Sequence, residues 1–195
     1  MKIEAKKIKE LRDKTGVSIM KCKEALEATD GDLEKAVEEL RKKGEKTAQK
    51  KADRETKEGV IGSYVHNNGK LAAMVKLYCE TDFVARNQDF IALAKDLAMQ
   101  VAATNPLYIN PSEFPEATIE NEKQIEREAL KKEGKPDEII EKILKGKIKK
   151  FKEENSLLKQ AFIKNPEIII EDLINDSISK LGENIKIEEI KRFEV

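Results

Sequence analysis

The chain has 195 residues, with 38 Lys or Arg against 38 Asp or Glu, so its formal net charge is zero although 39% of it is charged. A zero balance argues against a wholly basic nucleic-acid binder, and a further 39% of hydrophobic residues suffices for a packed core. No apolar run exceeds five residues, whereas a membrane-spanning helix needs about 20, so we predict a cytoplasmic protein that does not enter a membrane.

Three short helices are predicted between Ala5 and Gly44. Ser18 and Asp32 are suited to N-cap the second and third helices, and Gly44 to end the third at its C′ position. The face that the second helix is predicted to bury carries Ile19, Cys22 and Leu26. We assign this bundle to residues 1–45.

A basic segment follows, with eight bases and four acids between Arg41 and Glu58. We interpret residues 46–58 as a linker that is helical in part. It could be a basic arm for phosphates or for an acidic partner, or a solvated linker. We favour the solvated linker because acids are interspersed among the bases.

The pattern then changes to strands. Asn67-Asn68-Gly69 separates two apolar segments, of which the second runs from Leu71 to Cys79, and this turn chemistry predicts a β-hairpin. After Asp82 the spacing becomes helical. The residues on or near one face of that helix are Phe83, Phe90, Leu93, Ala94, Leu97 and Val101.

Two long charged helices are predicted between Ala117 and Asn165, meeting at Gly134-Lys135-Pro136. The second carries a narrow apolar stripe made of Ile140, Leu144, Ile148, Phe151, Leu158 and Phe162. Such a stripe on a charged helix indicates a protruding antiparallel hairpin, at about residues 117–163. Its net charge of +5 between Lys131 and Lys152 could contact RNA, but we favour a solvated face.

The last segment predicts a helix that ends at Gly182 and then a strand that joins the hairpin. The apolar residues of that strand are Ile185, Ile187, Ile190 and Phe193. We therefore predict an α+β fold, in which an antiparallel core sheet is packed with helices over residues 59–195.

No catalytic motif is present. The single histidine, His66, lies beside a predicted turn, no Gly-Lys pair is followed by Ser or Thr as a P-loop requires, and Cys22 and Cys79 are best interpreted as buried reduced thiols. The sequence gives no reason to expect an enzyme, a cofactor or a bound metal.

Two motifs resemble those of a known family, bacterial elongation factor Ts. The amino-terminal one combines Leu11–Gly16 (LRDKTG), Met20–Leu26 (MKCKEAL) and Gly31–Ala36 (GDLEKA), and the second and more specific one is Cys79–Asn87 (CETDFVARN). Shorter matches occur at Lys51–Arg54, Gly134–Pro136, Leu157–Gln160 and Gly182–Ile185. The resemblance covers nearly the whole chain and is to the short form of the family.

The resemblance implies an amino-terminal bundle like ubiquitin-associated domains, an αβ core, and a protruding coiled-coil hairpin. It also implies a guanine-nucleotide exchange factor, which binds the GDP form of elongation factor Tu, dislodges Mg²⁺ and promotes GDP release so that GTP can bind. Because short members tend to act as dimers, we expect a homodimer through the core sheet. We expect only indirect association with aminoacyl-tRNA and the ribosome.

The site residues carried over from the family fall in two stretches. Those that would displace Mg²⁺ from the partner are Thr81, Asp82, Phe83 and Val84. Those that would contact the partner from the bundle are Val17, Ser18, Ile19 and Met20. The alternative for the first stretch is that Asp82 caps a helix and Phe83 packs inside. Without the resemblance we would favour this alternative for Phe83.

Two other functions stay open at this point. The bundle alone is compatible with a module that binds ubiquitin-like partners or nascent chains, which would not require Thr81–Asn87. The basic hairpin is compatible with an RNA-binding or ribosome-binding protein, whose affinity would fall steeply with salt.

Overall fold

A computed structural model describes residues 3–195 and confirms the α+β fold. Its helices are α1 (Ala5–Thr15), α2 (Ile19–Ala28), α3 (Leu33–Lys51), α4 (Asp82–Ala85), α5 (Gln88–Thr104), α6 (Glu116–Lys132), α7 (Asp137–Glu154) and α8 (Ile170–Leu181). Its strands are β1 (Glu58–Val65), β2 (Leu71–Cys79), β3 (Ala161–Phe162), β4 (Asn165–Ile169) and β5 (Lys186–Glu194). Within residues 3–195, no helix has the length and apolar character needed to cross a membrane.

Helices α1 to α3 pack around a small core of their own, and both predicted N-caps are confirmed. The side chain of Ser18 accepts a hydrogen bond from the Lys21 amide at 3.5 Å, and that of Asp32 from the Lys35 amide at 3.1 Å. The buried residues of this core are Leu11, Val17, Cys22, Ala25, Leu26, Ala36 and Leu40. The prediction that Ile19 belongs to the buried face is wrong, because its side chain is 54% exposed.

The predicted end of the third helix at Gly44 is also wrong, since α3 continues to Lys51. Gly44 lies inside the helix and is buried against α8, where an added Cβ would be 3.4 Å from Oδ1 of Asp176. The glycine therefore allows two helices to approach closely. The first residues of the predicted linker are helical, and Ala48 among them is buried in the main core.

The main sheet has the order β1-β2-β5 with antiparallel pairing throughout, which confirms both the predicted hairpin and the predicted closing strand. Helix α5 packs on its inner face. Gly62 of β1 marks the closest contact, because a Cβ there would lie only 2.1 Å from the carbonyl oxygen of Ala94 in α5. The main core includes Val75, Leu77, Phe90, Leu97, Val101, Ile178 and Ile187.

The outer face of the same sheet carries exposed apolar side chains. Ile61 and Val65 of β1 are 68% and 63% exposed, and Met74 of β2 and Phe193 of β5 are 41% and 57% exposed. Phe193 is paired with Ala72 in the strand register, two pairs along from Met74 and on the same face of the sheet. Val65, Ala72 and Phe193 lie side by side across the three strands, whereas Ile61 is opposite Lys76 and Met74 is opposite Lys191. We call this surface the outer sheet face.

Helices α6 and α7 lie antiparallel, joined by a turn in which Gly134 has a φ of +74°. Ion pairs across the pair join Arg127 to Glu141 at 2.6 Å and Lys147 to Glu126 at 2.5 Å. The predicted apolar stripe is right for its first four members. It is wrong for the last two, Leu158 and Phe162, because α7 ends at Glu154 and these residues pack into the main core from a short 3₁₀ turn (Leu157–Lys159) and from β3.

Candidate partner-binding site

The loop that connects β2 to α5, residues 80–87, holds the four residues Thr81 to Val84. Thr81 is an N-cap, with its Oγ1 accepting a hydrogen bond from the Val84 amide at 3.5 Å. The single turn of α4 ends at Ala85, with Arg86 as its C-cap, and Asn87 caps α5 by accepting a hydrogen bond from the Asp89 amide at 2.8 Å. The prediction of a single helix from Phe83 onward is therefore wrong, since Thr81 and Asn87 cap two successive helices.

These caps project Phe83 away from the protein. Its side chain is 82% exposed, whereas Ala85 two residues later is buried and Val84 packs on the main core. Asp82 is half-buried and its carboxylate lies 3.1 Å from the guanidinium of Arg86. The alternative in which Asp82 caps the helix and Phe83 packs inside is thus wrong on both points.

A carboxylate from the other end of the core fixes the loop. Glu183, just after α8, accepts hydrogen bonds from the backbone amides of Glu80 at 3.1 Å and Thr81 at 3.0 Å. Its second oxygen accepts a 2.6 Å hydrogen bond from the hydroxyl of Thr81. Hydrogen bonds to an ionised acceptor are about twice as strong as neutral ones, so Glu183 determines where the loop sits.

Glu80 of the loop in turn binds residues outside it. Glu80 accepts a 2.6 Å hydrogen bond from the Asn184 amide and lies 3.5 Å from the guanidinium of Arg54. The side chain of Asn184 donates to the carbonyl oxygens of Ala52 and Arg54. Sequence reasoning missed Glu80, Glu183 and Asn184 as structural supports. The only signal was that Gly182–Ile185 belongs to the family resemblance, and carboxylates in so charged a chain carry no individual signal.

The second predicted stretch follows α1. Val17 is buried in the bundle core and Ser18 caps α2, while Ile19 and Met20 are 54% and 65% exposed. The stretch therefore divides into an anchoring part and an exposed apolar pair. Sequence reasoning did not separate these two parts.

Both stretches are attached to the carboxyl end of α8. Lys21, next to Met20, donates to the carbonyl and hydroxyl oxygens of Ser179, both at 3.2 Å. Lys180 forms an ion pair with Asp89 of α5 at 3.0 Å, and Glu183 holds Thr81. One segment, Ser179–Glu183, thus supports the bundle contact and the 80–87 loop.

Cys79, at the end of β2, directly precedes the loop. Burial, followed by the negative charge of Glu183, raises the pKa of the Cys79 thiol to about 11, so it stays protonated at neutral pH. Among residues 3–195, no group of three or more His, Cys, Asp or Glu is arranged to hold a metal ion. His66 lies at the opposite end of the β1–β2 hairpin from this loop, where it is exposed and hydrogen-bonded to the Tyr64 hydroxyl at 3.0 Å. An exposed ring and carboxylate on a firmly held loop are typical of a surface that contacts a partner.

Comparison with known proteins shows the family to which the chain belongs. Residues 4–195 match the family described as Elongation factor TS. The chain is 52% identical over 193 residues to elongation factor Ts of Thermosipho melanesiensis, with 99% of this chain and 98% of the relative covered. It is 53% identical to elongation factor Ts of Thermodesulfovibrio yellowstonii, over 100% of this chain and 97% of the relative. It is also 53% identical to elongation factor Ts of Oleidesulfovibrio alaskensis, over 99% of this chain and 98% of the relative.

These matches define a class, the translation elongation factors, and they extend over essentially the full length of each relative. Within that class the chain belongs to the elongation factor Ts family, the nucleotide exchange factors of elongation factor Tu.

Proposed function

We propose that this chain accelerates GDP release from elongation factor Tu through the 80–87 loop, with Phe83 as the inserted group. A tightly held GDP depends on backbone amides around its phosphates and on a Mg²⁺ that bridges phosphate oxygens. A group that displaces the surrounding helices removes several of these contacts together. The observation that carries the proposal is the 82% exposure of Phe83 on a loop fixed by Glu183.

Each residue of the stretch has a separate part in the proposal. Phe83 inserts between two helices of the GTPase domain, where an aromatic ring buries a large area at a small cost in side-chain entropy. Asp82 disturbs the ligand network of Mg²⁺ through its charge. Thr81 and Val84 keep the loop in shape, the first as the N-cap and the second by packing on the core.

The amino-terminal bundle supplies a second contact in this proposal. Val17 and Ser18 hold the start of α2, and Ile19 and Met20 provide the apolar surface. Because binding is reciprocal, a factor that weakens GDP binding is itself bound less tightly by the GDP form, by the same ratio. The direction of exchange therefore comes from the supply of GTP and not from the factor.

Release of fluorescent GDP from elongation factor Tu tests the proposal. We expect Phe83→Ala to slow the accelerated release at least tenfold, since interface anchors contribute about 2 kcal/mol or more, and Asp82→Ala to slow it less. Ile125→Ala is the matched control, because Ile125 on α6 is an apolar side chain that is 55% exposed. Phe83→Ala and Ile125→Ala should unfold at the wild-type temperature, since they remove exposed side chains. Asp82→Ala should unfold slightly below it, since it also removes the ion pair with Arg86.

Two results would count against the proposal. Wild-type protein that leaves GDP release unchanged would refute the assigned function. Wild-type rates for both Phe83→Ala and Asp82→Ala would leave the function intact and remove these residues from its mechanism.

The finer architectural assignments are part of the same proposal. We propose that the bundle of residues 1–45 is of the ubiquitin-associated type and that α6 and α7 form a coiled coil, with residues 46–58 as linker and 59–195 as core. The two ion pairs between α6 and α7, Arg127–Glu141 and Lys147–Glu126, support the coiled coil. We also propose a cytoplasmic location and an indirect association with aminoacyl-tRNA and the ribosome through elongation factor Tu.

A homodimer through the outer sheet face completes the proposal. Ile61, Val65, Met74 and Phe193 supply an apolar surface of the kind that self-association covers. In a two-fold dimer the same face is used twice, so one surface is sufficient.

A further inference from the structure

One face of α7, beside its contact with α6, carries a regular row of lysines. Lys142, Lys145, Lys149 and Lys152 follow at intervals of three, four and three residues, which places them on one side of a helix. Ile140, Leu144 and Ile148, which are buried against α6 and its base, lie on a separate side about 120° round the helix. We call these four lysines the α7 lysine row.

The lysines of this row are little used within the chain. Among residues 3–195, Lys142, Lys145 and Lys152 form no ion pair, and Lys149 has only the long 3.8 Å contact with Glu153 on its own helix. The remaining pairs of α7 with α6 use other residues, such as Lys147 and Glu141. Lys142, Lys145 and Lys149 are exposed and Lys152 is half-buried, so most of the positive charge of the row is available to a partner.

Gly146 lies among these lysines, four residues after Lys142. A glycine inside a helix costs about 1 kcal/mol relative to alanine, and packing in this chain does not require it, since a Cβ there would meet nothing within 4 Å. A missing side chain on an exposed helix face leaves a place where another molecule can approach the backbone closely. The glycine is thus a second observation that points to a ligand on this face.

We propose that the α7 lysine row binds the phosphate backbone of double-stranded RNA. The row spans about 15 Å along the helix, and a double-stranded nucleic acid carries on the order of one phosphate per 1.7 Å of its axis. Each lysine thus finds a phosphate without a sequence requirement. The chain belongs to a family of translation factors, and RNA duplexes are recognised mainly through shape and phosphates.

Other macromolecules fit this face less well. Protein interfaces are built around apolar or aromatic anchors and are depleted of lysine at their centre, and no apolar residue lies in the row between Lys142 and Lys152. A helix bound in a membrane surface needs a free apolar side, whereas the apolar side of α7 packs on α6. A row of charge without an apolar anchor is the arrangement expected for phosphates.

The test is fluorescence anisotropy of a labelled RNA duplex of about 16 base pairs titrated with the full chain at several KCl concentrations. The test variant replaces all four lysines of the row with Gln. The matched control replaces Lys6, Lys9, Lys23 and Lys42, of which one, Lys23, also has an i,i+4 acidic neighbour, Glu27. Both variants lose the same net charge and one weak ion pair.

For wild type we expect log K to fall with log salt with a slope of about −3 to −4, as about four phosphate contacts require. The test variant should lose at least tenfold in affinity and most of that slope, while the control keeps both. Gly146→Ala should bind several-fold more weakly although its helix is more stable. GDP release should be at the wild-type rate in all variants. The RNA-binding inference can therefore fail while the proposed function stands, and the two failures can be told apart.

Several results would overturn the inference. Absence of wild-type binding at low salt would do so, as would equal losses in the test and control variants, which would indicate non-specific charge. Unchanged RNA binding with slowed GDP release in the test variant would assign the row to a protein partner. Unchanged affinity in Gly146→Ala would remove Gly146 from the surface.

Discussion

Glu183 is the single residue on which the position of the 80–87 loop depends most. One carboxylate accepts two backbone amides and one hydroxyl from residues far away in the chain. It lies at the base of the loop and the exposed ring of Phe83 lies at its tip. We therefore regard Glu183 as a positioning residue, which acts on the partner through Thr81.

Glu183→Ala should release the loop. We expect a loss of about 1–3 kcal/mol in the free energy of unfolding, because two amides and a hydroxyl lose a charged acceptor, and slower GDP release although Glu183 touches no partner. Glu183→Gln, which keeps oxygen acceptors at one position, should lose less of both. Hydrogen exchange at residues 80–87 reports on loop opening directly, and unchanged protection in Glu183→Ala would contradict the assigned role.

Asp176 is a second residue with a measurable consequence. It lies on α8 facing α3, where burial, with the nearby charge of Asp172, raises the pKa of its carboxyl to about 6, against the partial opposition of Arg41. The folded protein therefore holds a proton that the unfolded chain releases between about pH 4 and 6. The contribution of Asp176 to the free energy of unfolding must therefore fall as the pH rises through that window.

Asp176→Asn should remove this dependence. At pH 7.5 we expect the variant to be more stable than wild type by about 2 kcal/mol, an amount that allows for water reaching part of the carboxyl. Near pH 4, where the wild-type carboxyl is protonated when folded, the two proteins should be nearly equal. Urea unfolding of both proteins at a series of pH values measures this, and a stability difference between them that stayed the same from pH 4 to pH 7.5 would contradict it.

At the scale of single elements, the contact between β1 and α5 depends on the absence of one side chain. Gly62 brings the strand backbone against the carbonyl of Ala94, so its role is close approach and not a special backbone angle. Gly62→Ala should lower the free energy of unfolding by about 2–4 kcal/mol, because strand and helix must move apart. Gly146→Ala, in open space, should raise it by about 0.5–1 kcal/mol. Equal effects at the two glycines in urea unfolding would contradict this explanation.

The elements themselves were largely predictable from the sequence, since local signals determine them. Caps at Ser18 and Asp32 and the turn at Asn67–Gly69 follow from residue types that satisfy backbone groups locally. The errors occurred where tertiary packing decides. Gly44 has the local appearance of a helix end, but contact with α8 keeps it inside a helix, and Leu158 continues the spacing of α7 after that helix has ended.

The candidate site likewise has a part that the sequence predicted and a part that depends on tertiary packing. The residue types at 81–84 were identified through a resemblance, but the outward direction of Phe83 depends on two N-caps, Thr81 and Asn87, close together in the chain. Periodicity placed Phe83 on the same face as Phe90. The support from Glu183 could not be foreseen, because one carboxylate among 38 acidic residues has no distinguishing pattern.

At the scale of the whole molecule, the outer sheet face determines the expected assembly. If it mediates the proposed homodimer, Phe193→Lys combined with Ile61→Lys should give a monomer, because two facing patches would each acquire charges without partners. Both side chains are exposed in the single chain, so the variant should keep its folding stability. Ile125→Lys on α6 is the control, and sedimentation velocity measures the result; a dimer that persists in the double variant would contradict the proposed interface.

The attachment of two surfaces to Ser179–Glu183 has a consequence for the kinetics of exchange. Under the proposed function, the chain is a rigid bivalent ligand with two contact surfaces, the exposed pair Ile19 and Met20 and the 80–87 loop. The contacts of Lys21, Lys180 and Glu183 keep these two surfaces at a fixed separation. After one contact forms, the other forms at an effective concentration on the order of millimolar. An incoming nucleotide then needs to displace only the loop while the bundle keeps the partner tethered, so high avidity and rapid turnover are compatible in one molecule.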